Sequence, residues 1–114
     1  MEKIVRQGLL YDFYGELLTK HQRHIYEDVV INDLSLSEIA QENGITRQGV
    51  HDLVKRCDRI LEGYEDKLRL VEKFRLTKHL ASDIQQLLDS YQKSGDKTLL
   101  ARARETASRI IQIS

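Results

Sequence analysis

Thr46, Arg47, Gln48, His51, Asp52 and Lys55 stand close together in the stretch TRQGVHDLVKR. In a helix the separations of three and four among them bring them toward one side. Their chemistry suits the major groove of double-stranded DNA. Arginine forks onto O6 and N7 of guanine, and glutamine pairs with N6 and N7 of adenine. Thr46 and Lys55 suit phosphates, which fix register without reading sequence. Asp52 would exclude some bases. The plain alternative for the same side chains is a solvated helix face.

Other constellations carry less chemistry. His21 and His24 share a helical face but lack a third ligand, so no metal site is expected. Cys57 falls on an apolar seam, which favours a packed thiol over a nucleophile. Glu62, Glu65 and Asp66 read as helix surface. Tyr11, Phe13 and Tyr14 read as core, and Arg102, Arg104 and Arg109 as the solvated face of the last helix. There is no phosphate loop, nucleophile elbow or dinucleotide motif. Neither catalysis nor a cofactor is expected.

The elements that position the six residues are marked by local signals. A small residue, a glycine and apolar side chains must fix the crossing of two helices. Ser35–Arg56 supplies Ile39 and Ala40, then Gly44, then Ile45, Val50 and Leu53. Ser35 stands three residues before Glu38, at capping-box spacing. The first of the two helices spans Leu36 to Glu42. Gly44 is its left-handed stop, and Thr46 caps the second. Upstream, Ile4 to Leu18 reads as one amphipathic helix, in which Gly8 and Gly15 weaken helicity or permit close packing. Thr19, three residues before Gln22, caps the next helix.

The helix opened by Thr46 shows no stop signal until about Arg75. Val50, Cys57, Tyr64 and Val71 recur every seven residues, with Leu53, Ile60 and Phe74 as companions, a heptad-like seam. Such a helix would be about 45 Å long. A compact domain of this size has a radius of gyration of about 13 Å. The helix must therefore kink near Gly63 or project. The sequence divides into a helix-turn-helix domain over 1–75 and a helical extension over 76–114. Leu80, Ile84, Leu87, Leu88 and Tyr91 mark one further helix, Ser94–Lys97 a break, and Leu99 to Ile111 another. An apolar stripe that outruns the head predicts a homodimer, through the long helix or the helices beyond Thr77.

Composition agrees with an all-α fold: a helix-turn-helix head, a long helix and two C-terminal helices. The chain has 114 residues, no proline and 6% aromatics, with 32% charged. Helices are thus uninterrupted by ring constraints and hairpin punctuation is scarce. No apolar run suffices for membrane insertion and no signal peptide is evident. With a single cysteine, a reducing cytoplasm is the expected location. The 18 basic and 18 acidic residues cancel, so nothing steers the whole chain toward a polyanion. From Thr46 to Arg59, however, four basic residues oppose two acidic ones, a surplus of two. Two readings follow: a DNA-binding regulator, or a protein-interaction module on the same fold.

Leu17 to Leu68 resembles the YlxM family of small bacterial helix-turn-helix proteins, and the likeness reaches upstream of Leu17, being closest in DFYGELLT, LSLSEIA and TRQGVHDLVKR. It is more distantly similar to region 4 of sigma factors. The likeness covers the N-terminal two-thirds and is loose after Phe74. It implies an all-helical regulatory protein, without catalysis, associated with the signal recognition particle pathway. Components of that particle are then implied partners. Cys57 departs from the charged residue expected there. The sigma-factor likeness transfers helix-turn-helix geometry alone.

Overall fold

A computed structural model describes residues 2–114. Helix α1 spans Lys3–Tyr14, α2 Lys20–Tyr26, α3 Leu36–Asn43, α4 Arg47–Leu68, α5 Leu70–Ser94 and α6 Lys97–Ile113. No strand occurs among the described residues. No helix is long and apolar enough to cross a membrane among them. The chain divides into two compact units, 1–69 and 70–114.

Most helix boundaries lie where local chemistry puts them. Thr19 Oγ1 accepts from the Gln22 N–H at 3.2 Å, and the Gln22 side chain accepts from the Thr19 N–H at 3.0 Å, a complete capping box. Ser35 Oγ accepts from the Glu38 N–H at 3.1 Å. The Glu38 carboxylate, however, takes the Ser35 hydroxyl at 3.0 Å rather than the backbone N–H, so this second box is only half formed. Gly44 has φ 66° and ψ 30°, the left-handed geometry that ends α3. Thr46 Oγ1 accepts from the Gly49 N–H at 2.9 Å and opens α4.

Three boundaries differ from expectation. The first helix ends at Tyr14 and tightens into a 3-10 turn over Gly15–Leu17. A Cβ on Gly15 would lie 2.7 Å from the Tyr11 ring, so glycine there serves close packing. The second helix continues as a π-helical turn over Glu27–Ile31, and the buried Asp28 accepts from Asn32 Nδ2 at 3.2 Å beside its end. The long helix does not run to Arg75. It passes through Gly63 unbroken and stops at Leu68, because Arg69 adopts φ 53° and ψ 34°. The unit boundary thus lies six residues ahead of residue 75. An arginine in the left-handed region carries no local signature, which is why the seam conceals the break.

Within the first unit, Ile25, Ile39, Ala40 and Val50 form the core at the helix crossing, with Val29, Leu34, Leu36, Leu53 and Val54 packed on it. Leu10, Tyr14, Leu18, Tyr26, Cys57 and Leu61 are buried as well. A row of polar bonds ties the later half of α4 to its neighbours. Arg6 forks onto Glu62 at 2.6 and 2.7 Å. Gln7 Nε2 reaches both oxygens of Asp58 at 3.0 and 3.1 Å. Tyr26 donates to Asp58 Oδ1 at 2.6 Å, and Tyr14 to Glu65 Oε1 at 2.6 Å. The rings stack as Tyr11 on Tyr26 and Tyr14 on Tyr64. Glu65 is only 7% exposed, so the carboxylates read as helix surface include a buried member. Asp66 alone of that trio is exposed. In the second unit α5 and α6 pack on each other across a connection at Gly95 and Asp96, with Leu80 and Ala103 buried.

Candidate nucleic-acid interface

The turn between α3 and α4 is built so that one face of α4 is spent on the core and the other left free. Ile39 and Val50 are fully buried and Ala40 nearly so. A small side chain at Ala40 lets the helices approach, and its carbonyl accepts the N–H groups of Gly44 and Ile45. Ile45, expected on the inward side with Val50 and Leu53, is 37% exposed instead. It sits in the connection before α4 begins, where the helical register does not yet apply.

All six candidate residues are exposed. Thr46 spends its oxygen on the cap, while its hydroxyl hydrogen remains available to a phosphate. Arg47, Gln48 and His51 line a surface hollow together with Leu36 at the start of α3. Gln48 Nε2 donates to Asp52 Oδ1 at 2.9 Å. His51 Nδ1 stands 3.8 Å from that oxygen, too far for a hydrogen bond. Lys55 lies two turns beyond Arg47 and is exposed.

Two further cations belong to this surface and were not among the six. Arg56 and Arg59 are exposed, and Gln48, Asp52, Lys55 and Arg59 follow at steps of four, three and four along α4. Arg47, Lys55, Arg56 and Arg59 make no ion pair among the described residues. Their spacing in the sequence was the available signal. What the sequence hid is the fate of Asp58: it is half-buried and bonded to Tyr26 and Gln7. The outward charge of 46–59 is therefore four cations against Asp52 alone, a surplus of three rather than two. Such a surface can contact phosphates with its arginines and lysine while Gln48, His51 and Asp52 meet base edges.

The remaining candidates stay apart from it. His21 and His24 are exposed on α2, and His24 Nε2 lies 3.6 Å from Asp28 Oδ2. No group of three or more His, Cys, Asp or Glu residues among the described ones is placed to hold a metal ion. Cys57 is fully buried, and burial pushes its thiol up to about 11. A thiol so protonated is a packing group. Tyr14 is core and Tyr11 half-buried, but Phe13 is 38% exposed.

Residues 1–100 match the family described as "Putative helix-turn-helix protein, YlxM / p13 like". A UPF0122 protein of Bacillus mycoides (strain KBAB4) is 46% identical over 88 residues, which cover 77% of this chain and 80% of the relative. One of Bacillus thuringiensis (strain Al Hakam) is 44% identical over the same shares. One of Shouchella clausii (strain KSM-K16) is 41% identical over 81% of this chain and 84% of its own.

Proposed function

The chain belongs to the YlxM / p13-like helix-turn-helix family, and on that premise we propose that it is a cytoplasmic regulatory protein that docks α4 in the major groove of double-stranded DNA. Thr46, Arg47, Gln48, His51, Asp52 and Lys55 meet the groove, and Arg56 and Arg59 the flanking phosphates. The observation that carries this reading is the outward surplus of three positive charges on α4, left free by the inward turn of Asp58. Phosphate contacts supply most non-specific affinity, so a face with four cations binds weakly and with strong salt dependence. Two copies, joined through the helices beyond Thr77, would double that face and gain by avidity.

Fluorescence anisotropy on labelled duplexes at low salt tests it. Binding that weakens as salt rises is expected, and Arg47→Ala reduces it. Equal, immeasurable binding by both proteins across many duplexes refutes the reading.

A second reading is favoured by apolar exposure on the same unit. Ile4 and Val5 on α1 are about half exposed, at 51% and 50%, and Leu17 is 54% exposed. On this reading the protein docks onto a protein or ribonucleoprotein of the signal recognition particle pathway, the link that the family resemblance implies. Capture from nuclease-treated extract separates the two: a partner retained after nuclease favours direct protein docking.

A further inference from the structure

We propose that Gln48 and Asp52 act as one acceptor pair that selects, on the DNA strand α4 faces, bases bearing an exocyclic amino group over bases presenting a carbonyl. This rests on the groove-binding reading and names the duplexes it takes. Gln48 Nε2 donates to Asp52 Oδ1 at 2.9 Å. A carboxylate only accepts, so the amide must turn its nitrogen to Asp52 and its Oε1 away. Asp52 Oδ2 accepts no hydrogen bond from the described residues, and the side chain is 64% exposed. Two acceptors, Gln48 Oε1 and Asp52 Oδ2, are thus presented one helical turn apart.

The four residues from Gln48 to Asp52 rise about 6 Å along the axis, comparable with two base steps of about 3.4 Å. With the helix lying in the groove, the two oxygens therefore fall over base pairs about two steps apart. There adenine offers N6 and cytosine N4 as donors, while guanine offers O6 and thymine O4 as acceptors. Over an amino group Asp52 gains a charge-assisted bond. Over a carbonyl it loses water and gains no partner, the costly arrangement. The second amide hydrogen of Gln48 still reaches N7 of adenine, which completes a bidentate pair. The preferred strand then carries adenine under Gln48 and adenine or cytosine under Asp52. The cations Arg47, Lys55, Arg56 and Arg59 hold this acidic residue against the phosphates.

The test is selection by the full-length protein from a randomised duplex library at low salt, followed by sequencing. Wild type enriches adenine at one position and adenine or cytosine about two steps away, by at least about fivefold over guanine and thymine. Asp52→Asn puts a donor where an acceptor oxygen stood and loses the preference under that side chain. Asp52→Ala frees the amide to turn and weakens the preference at both positions. Circular dichroism checks that both variants keep their helices. If wild type and Asp52→Asn bind with the same profile, or wild type enriches guanine or thymine there, the acceptor pair is wrong and groove binding stands. If no duplex is bound by any of the three, groove binding and the acceptor pair fall together.

Discussion

Single residues set two conditions on this fold that can be measured. Gly44 takes a left-handed conformation that costs any other residue about 1–2 kcal/mol, asparagine least. Gly44→Ala is expected to lower stability by about that amount in urea denaturation, and Gly44→Asn by less. Cys57 sets the second condition. Its thiol is raised from 9.0 to about 11, first by burial and then by the Asp58 charge. The Tyr26 hydroxyl is raised too, by burial and by its bond to Asp58. A raised acid keeps its proton longer when folded than when unfolded. The resulting stability is whole below pH 9.0 and is lost as pH rises toward about 11. For the thiol this loss amounts to about 2–3 kcal/mol. Thermal unfolding should therefore fall in temperature across that window, and Cys57→Ala should flatten the fall.

At the scale of elements, α4 is held by two kinds of bond with different worth. The Arg6–Glu62 pair is over a third exposed on each side, so water screens it. Such pairs contribute at most about 1 kcal/mol. The Arg6 guanidinium holds the Glu62 carboxyl below its ordinary 4.5, so this contribution is present above that pH and vanishes as pH falls through the lower folded value. Glu62→Gln should remove it, with a small loss at pH 7 and none in strong acid. Tyr26 is fully buried and bonded to Asp58, which places it in the other class. Tyr26→Phe should cost about 1–3 kcal/mol by chemical denaturation, because Asp58 loses a donor in a site water enters poorly.

Over the whole molecule, zero net charge conceals a division. Unit 1–69 holds ten basic and thirteen acidic residues, a charge of −3, and unit 70–114 holds eight and five, a charge of +3. The outward cations of α4 are thus a local surface on an acidic unit. The α5–α6 unit leaves Leu88 43%, Leu100 38% and Ile111 75% exposed. Two helices cannot cover both sides of each other's apolar stripe. The proposed homodimer covers it with a second copy. Light scattering should give twice the chain mass at micromolar concentration, and Leu88→Glu with Leu100→Glu should restore the monomer with helicity intact. A monomer for wild type at high micromolar concentration refutes it.

The sequence by itself determined the helix-turn-helix, because its signals are local: Thr46 and Ser35 bond within three residues, Gly44 takes its left-handed turn without a Cβ to strain it, and Ile39, Ala40 and Val50 repeat on one face. It also placed Thr46, Arg47, Gln48, His51, Asp52 and Lys55 on the outer surface, since residues opposite a buried stripe have nowhere else to go. Only the tertiary structure decided where α4 ends. Arg69 is driven into a left-handed geometry that its own side chain does not favour, and no nearby residue announces it. Only the tertiary structure turned Asp58 and Glu65 inward as well, because a carboxylate on a helix is surface until a tyrosine from another helix reaches it. The charge that α4 offers outward follows from those distant partners rather than from the composition of the helix.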